Sequence, residues 1–492
     1  MYITEVAMGT YSVPEEIRAM KPKGTIVKRI KNQYYVYTHS QSKDQQTGRW
    51  RTDPGKLIGK IIPGVGYCTN ADSSANQGIT CFDYGQYRLA CRLCAKDFSN
   101  LKLCFNPDEA MIIFCFAITI ATEGYLGLKV AASLFERSLM ARDYPALKFS
   151  YHRVSKLLEL IGRQGKANEF ARICMDEASD KLAIDGHAIP STSENNDLAA
   201  AGHKTKSIRS EYMNLMVVLD VASKEPVGTK VFPGYMPDKS DFIDFIEGIG
   251  SIAGKILLID RGFFSDDNLS YITSHGGSYV IPVAENMVSH KQAVANRKGR
   301  MSQFIYHAGK RADAVEYREN TKGDGITVHY FRNLSEAERL SAVYLKNLEQ
   351  GKKGYSQQEY QKQRPGFGVI VLQTNLPGAA KEIYDLYKAR WSIEVFYDRL
   401  KNGIDFEELN LDDWAVVQGL SFIMLLAGRI DAGILKAAKN VAMTRKELLQ
   451  LMSFLKLTDD GSRTFLHNMK KQHIEVAKTI GITFDLTEKC LD

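Results

Sequence analysis

At 492 residues the chain is too long for one ordinary hydrophobic core, and with 44% hydrophobic and 25% charged residues it reads as globular, in roughly two to four domains. The formal charge of +7 favours an anionic partner, and the excess is local: residues 21–60 hold ten Lys/Arg against two Asp/Glu, residues 289–364 hold fifteen against eight, and the remainder is net acidic. The longest apolar run, "AMIIFCFAITIA" at 110–121, is 12 residues and too short for a bilayer, and "MYITEVAMGTYSVPEE" lacks the basic start and apolar stretch of a signal peptide, so no membrane partner and a cytoplasmic location are expected.

In chain order, "GTIVKRI", "QYYVYTH" and "GKLIGKII" predict strands joined by the turn-rich "SQSKDQQTGRW", a basic β-ribbon with Tyr34, Tyr35, Tyr37 and Trp50 interleaved. Its surface suits DNA or plain solvent. Residues 80–178 carry helical periodicity. Cys91 and Cys94 form a CxxC, but no second Cys or His pair follows as a zinc site requires, and both fill apolar slots of an amphipathic helix. "FSYHRVSKLLELIG" offers Ser150 as an N-cap, for either a recognition helix or an ordinary packed one.

From about residue 180 the period changes. "KLAIDGHAI", "MNLMVVLDV" and "EPVGTKVFPG" read as three strands, "DKSDFIDFIEGIG" as a helix, "KILLIDRGF" as a strand, "DDNLSYITSH" as a helix and "GSYVIPV" as a strand. A three-strand meander, a helix and an apolar parallel strand follow the order of an RNase H-like core, in which the first and fourth strands are neighbours. Each of these two is expected to end in an aspartate, Asp185 and Asp260, and two carboxylates at neighbouring strand ends suit Mg²⁺. Asp220 after "MVVL" is the decoy, since aspartates at strand ends commonly cap turns. After Asp260, Gly262 would let the backbone turn closely beneath a metal.

"YKARWSIEVFYDRLK" at 387–401 predicts one helix. Tyr387, Arg390, Glu394, Tyr397 and Lys401 fall within about 80° of its circumference, while Trp391, Ile393, Val395, Phe396 and Leu400 supply a largely buried remainder. The stripe reads either as an i,i+4 ion pair with a snorkelling lysine or as one wall of an active site. After it, "LNLDDWAVVQGLSFIMLLAGRI" predicts a helix behind the core, and Thr444 with Glu447 a capping box. Among catalytic motifs, no Gly-x4-Gly-Lys-Ser/Thr, His-Glu-x2-His or Gly-x-Ser-x-Gly occurs, and the ten histidines show no metal-ligand spacing.

Tyr387, Arg390, Glu394 and Lys401 fit the Y-x2-R-x3-E-x6-K pattern of bacterial insertion-sequence DDE transposases, which the chain resembles over about residues 145–430. "IDGHAI" is similar to that family's first Asp motif, "DRGF" at 260–263 to its second, and "GVIVLQTNLP" at 368–377 to its last core strand. The resemblance implies metal-dependent DNA cleavage at transposon ends and strand transfer, with two Mg²⁺ ions, replaceable by Mn²⁺, on Asp185, Asp260 and Glu394. Arg390, Lys401, Tyr387 and Arg261 would hold phosphates. It also implies a homodimer on terminal inverted repeats and target DNA, in the cytoplasm of a bacterial cell and associated with its nucleoid.

Glu394 lies 134 residues after Asp260, a gap that requires an insertion, placed at 285–366 with a hairpin around Lys322-Gly323-Asp324-Gly325. The resemblance makes it a β-rich domain that grips the transposon end. It holds no Trp, so any base stacking there would fall to Tyr306, Tyr317, Tyr330 or Phe331, and a hairpin mechanism is left open. "FPGYMPDKSD", with Tyr235, departs from the Gly-Asn that the family often shows. The expected organisation is a basic β-rich region at 1–75, a helical DNA-end-binding region at 76–178, an RNase H-like core at 179–284 and 367–435 around the insertion, and a helical tail at 436–492. Two alternatives remain, an RNase H-like nuclease without strand transfer and a transposase-derived DNA-binding protein.

Overall fold

The computed structural model describes the chain except residues 1–12, 40, 44–49, 53–54, 65, 70–79, 194, 201–210, 237, 296–300, 322–324, 405, 407–408, 410, 460–463, 487–488, 490 and 492. The turn at Lys322-Gly323-Asp324 and the Trp50 side chain lie outside the described residues. The chain divides into two compact units, Met1–Cys81 with Thr458–Phe465, and Phe82–Leu457 with Leu466–Asp492.

The smaller unit carries the expected ribbon as an antiparallel sheet of β1 (Thr25–Ile30), β2 (Gln33–Thr38), β3 (Leu57–Ile62) and β4 (Gly66–Thr69), in that order. Val36 and Ile61 are buried with Ile17, while Lys28 and Arg29 lie over the rings of Tyr37 and Tyr34. By register, Arg29 and Tyr34 share the face of Val36 and Ile61, with Tyr34 packed against that cluster, while Lys28, Tyr35 and Tyr37 lie on the other face.

In the larger unit the periodicity at 80–178 becomes helices: α1 (Gly85–Leu93), α2 (Ala95–Cys104), α3 (Pro107–Glu123), α4 (Tyr151–Gln164) and α5 (Lys166–Glu177). Cys91 and Cys94 are both buried, as apolar slots require. Ser150 caps α4, accepting a hydrogen bond from the Arg153 amide at 3.4 Å.

The core strands are β5 (Lys181–Ser191), β6 (Glu211–Asp220), β7 (Pro226–Pro233), β8 (Ile256–Ile259) and β9 (Ser278–Pro282), with α6 (Asp238–Ile249) and α7 (Asp266–Ser274) in the predicted places. The insertion adds β10 (Ser302–Ala308), β11 (Arg311–Thr321) and β12 (Thr327–Asn333), and β13 (Val369–Thr374) returns to the core. One nine-stranded sheet results, ordered β7-β6-β5-β8-β9-β13-β12-β11-β10. Its first five strands, 3-2-1-4-5 in chain order with β5, β8 and β9 parallel, are the RNase H-like arrangement. The β11–β12 hairpin forms as expected, but the insertion strands extend the core sheet through β12–β13 pairing.

After β13 come α8 (Ala380–Ala389), α9 (Trp391–Gly403) and the 27-residue α10 (Trp414–Asn440). Among the described residues α10 alone is long and apolar enough to cross a bilayer, but 94% of that stretch is buried inside the protein. Its apolar surface packs the core. α4 meets α10 at two glycines: a Cβ on Gly162 would stand 2.0 Å from the Ala415 carbonyl oxygen, and one on Gly419 would stand 2.1 Å from that of Leu158. α4 is therefore a packed helix whose apolar face, Val154, Leu157, Leu158 and Ile161, is buried. Farther along α10, Arg429 reaches Asp97 at 2.7 Å and Glu225 at 2.8 Å, tying α2 and the β6–β7 turn to the same helix. The predicted Thr444–Glu447 capping box is present.

Candidate active site

Two strands fix the first two carboxylates. β5 and β8 are parallel neighbours with Ile184 opposite Ile259, so the next residues, Asp185 and Asp260, stand side by side where β8 ends. Here the structure corrects the sequence reading in one respect. β5 continues to Ser191, because β6 pairs with it along its whole length, so Asp185 sits within a strand that has lost one neighbour and gained an open edge. The Gly186 amide donates to the Asp185 carboxylate at 2.9 Å.

Asp260 leads into a single 3-10 turn, Arg261–Phe263, anchored by the fully buried Phe263. Gly262 lies inside that turn without the positive φ that would demand glycine. Arg261 is exposed beside Asp260. The decoy, Asp220, is a turn cap: its carboxylate accepts from the Ser179 hydroxyl at 2.5 Å, the Ser179 and Ala222 amides at 3.2 and 2.8 Å, and the Ser223 hydroxyl at 3.0 Å.

The third carboxylate arrives on a helix placed by the turn after β13. Thr374 donates to the Tyr279 carbonyl at 2.6 Å, and the Asn375 side chain accepts from the Tyr279 amide at 2.9 Å, binding β13 to β9 just before α8. The predicted single helix is interrupted at Arg390, which separates α8 from α9 yet keeps right-handed helical angles (φ −53°, ψ −32°). The stripe's angular register therefore survives the break. Glu394 sits in the first turn of α9, where the helix N-terminus favours a carboxylate. Trp391 and Val395, expected to be buried, are 63% and 45% exposed, whereas Ile393, Phe396 and Leu400 are buried as expected.

Arg390 joins the pieces. Its guanidinium contacts Glu394 at 2.6 Å and Asp185 at 3.6 Å, and lies over the Tyr387 ring with its carbon 5.8 Å from the centroid. Burial opposes its charge, but Tyr387, Asp260, Asp185 and Glu394 together hold it more firmly protonated than usual. Burial pushes the Tyr387 phenol upward against the pull of Arg390, so it stays a neutral hydrogen-bond donor. Lys401, two turns beyond Glu394, is exposed.

Tyr397 does more than pack. Its hydroxyl donates to the backbone carbonyls of Asp185 at 2.8 Å and Leu215 at 3.1 Å, and its ring stacks on His187 at 4.8 Å and 22°. The Glu394 helix is thereby pinned to the Asp185 strand. Sequence reasoning had Tyr397 in the stripe but not this role, because its acceptors are backbone atoms that no side-chain pattern reveals. The insertion's aromatics turn inward: Tyr330 and Phe331 are buried, and Tyr306 packs edge-on against Tyr384, so neither Tyr330 nor Phe331 offers a face to a base.

Asp185, Asp260 and Glu394 offer oxygen donors alone, a chemistry that would suit a hard divalent cation better than zinc or copper. Among the described residues no three acidic, His or Cys side chains converge closely enough to hold a metal. Arg390 instead stands among the carboxylates as their counter-charge.

Residues 177–427, just over half of the chain, match the family model described as "Transposase DDE domain". No curated protein matches the chain significantly. Among solved structures the chain is similar to a piggyBac transposase in a synaptic complex with hairpin DNA, seen by cryo-EM, at 12% identity and a TM-score of 0.39 over 75% of this chain and 78% of that one.

Proposed function

The chain belongs to the transposase DDE-domain family, and from that premise we propose that Asp185, Asp260 and Glu394 are the catalytic carboxylates of this transposase. The observation that carries the assignment is the β5–β8 register beside the Arg390 bridge: Asp185 and Asp260 are neighbours, and Glu394 is tied to Asp185 through one guanidinium. The subgroup with the Y-x2-R-x3-E-x6-K signature is the one its residues fit.

Enzymes of this family depend on divalent cations. We infer two Mg²⁺ ions, replaceable by Mn²⁺, which Asp185, Asp260 and Glu394 would hold between them. When bound, such ions supply an activated oxygen nucleophile and neutralise charge building on the phosphorus. The chain's own residues do the rest. Asp185 is held by the Gly186 amide and its carbonyl by Tyr397, so the carboxylate has a fixed seat. Released from its carboxylates, Arg390 offers a planar fork to a phosphate, Tyr387 donates beside it, and Arg261 and Lys401 add exposed charge on either side.

The partners proposed are the element's terminal repeats and target DNA, engaged by a homodimer in the cytoplasm. Supercoiled donor DNA carrying the element's ends, incubated with protein and Mg²⁺ or Mn²⁺, is expected to yield excised element and joined product. Cutting without joining would favour the nuclease reading. Full activity of Glu394→Gln would remove Glu394 from the ligand set.

A further inference from the structure

The outer face of the β1–β4 sheet has no part in the proposed chemistry. Tyr35 stands near its centre, paired with Lys28 of β1 on one side and Lys60 of β3 on the other, and Tyr37 follows two residues on, paired with Leu57. Because side chains alternate along a strand, these five leave the sheet on the side away from the Val36–Ile61 cluster. Lys28 and Lys60 are exposed, and on the same face Ile30 and Leu57 are 45% and 36% exposed. The Tyr35 hydroxyl donates to Gln33 of its own strand at 2.7 Å, yet among the described residues no other ring and no cation lies on its ring. None of the four strands carries an Asp or Glu.

Charge and spacing select the partner. Lysines with no carboxylate near them, set beside aromatic rings, suit a polyanion that also offers flat bases. Residues two apart on a strand are separated by about 7 Å, roughly twice the 3.4 Å between successive units of one strand in a DNA duplex. Bases lying on both Tyr35 and Tyr37 must therefore be unstacked from each other, which a single strand allows and a duplex resists. The side chains that read base edges are missing from this face: Arg29 leaves the opposite one, bonded to Asn32 at 2.8 Å, and Gln33 is engaged by Tyr35. Binding here would then depend little on sequence.

We propose that the outer face of this sheet binds single-stranded DNA, with bases on Tyr35 and Tyr37 and with Lys28 and Lys60 on the phosphates. The choice of DNA over RNA rests on the transposase reading, whereas the face itself belongs to the compact unit that carries none of the three carboxylates.

The test is fluorescence anisotropy of a labelled oligothymidylate with the full chain in EDTA, beside a duplex of the element's end and an oligouridylate. The wild-type chain is expected to bind oligothymidylate. Loss of one base–aromatic stack in Tyr35→Ala should weaken that binding about tenfold, and Tyr35→Phe should keep it within about twofold. Replacing the exposed Lys28 and Lys60 together by Gln should flatten the slope of log affinity against log salt by about 1.4, from two phosphates at about 0.7 each. Affinity for the duplex should not change in any variant. No binding of oligothymidylate by the wild type, or wild-type binding by both Tyr35→Ala and the lysine pair, overturns the proposal and leaves the carboxylate assignment, tested on donor DNA, where it stood. An equal loss on the duplex would make the face a duplex reader, and tighter binding of oligouridylate an RNA site; either overturns it as well.

Discussion

Replacing Arg390 with Gln keeps most of the side chain's bulk and deletes the charge between three carboxylates. Breaking a buried ion pair costs about 3–5 kcal/mol because the remaining charge has no compensation. Here the side chains of Asp185 and Glu394 are 21% and 32% exposed, so water repays part of the loss and about 2–3 kcal/mol is expected at low salt. Urea is the denaturant to use, since guanidinium would screen the effect. On the proposed ligand set, the same substitution removes the cation that would compete with metal for those oxygens. Mn²⁺ affinity without DNA, measured by calorimetry, is therefore expected to rise about tenfold, equivalent to roughly 1.4 kcal/mol. Saturating Mn²⁺ should then restore most of the variant's lost stability. A variant as stable as wild type that binds Mn²⁺ no more tightly would show that Arg390 is not the counter-charge of this site.

Tyr397→Phe removes the donor to the Asp185 and Leu215 carbonyls. It is expected to cost about 1–3 kcal/mol in urea and to lower the single-turnover cleavage rate with DNA affinity unchanged; an unchanged rate refutes the positioning role. Gly419→Ala drives a methyl against the Leu158 carbonyl oxygen and should lose about 2–3 kcal/mol. Gly433→Ala on the same helix meets only ordinary contacts, 3.5 Å from the Leu93 Cβ, and should be neutral or stabilising in the same urea titration. For Asp220, burial pushes the carboxyl up, but hydrogen bonds from Ser179, the Ala222 amide and Ser223 outweigh it and hold it below the usual carboxylate range. Its contribution is thus present above the unfolded value and lost as pH falls through the folded one. Asp220→Asn should cost about 1–2 kcal/mol at pH 7, a gap that narrows below about pH 4 in urea titrations at both pH values.

The pairing of Asp185 with Asp260 was legible because strand order and apolar runs determine which strands are neighbours, and the carboxylates follow directly after Ile184 and Ile259. The Glu394 stripe was legible because helical period alone puts it in one sector. What stayed hidden depends on partners distant in sequence. Trp391 and Val395 look like core by composition, yet nothing packs over them sufficiently to bury them. The break at Arg390 has neither Pro nor Gly to announce it. The insertion's strands alternate as any hairpin does, and only the β12–β13 pairing tells that they lengthen the core sheet. His187 carries no motif, and its relation to Tyr397 exists only after strand and helix meet.

The long helix α10 bears on how such a protein can be taken apart. The stretch that matches the family stops at residue 427, inside a helix that runs to Asn440. Just past that point lie Arg429, clasping Asp97 and Glu225, and Asp431, clasping Arg399 and Arg445. A cassette cut at the edges of the matching stretch would leave Glu225 without Arg429, Arg399 without Asp431, and Gly419 without the α4 backbone that packs against it. The boundary of kinship and the boundary of folding differ here. Any graft that joins this transposase core to a new N-terminal region must carry the matching strip of α10 along with it.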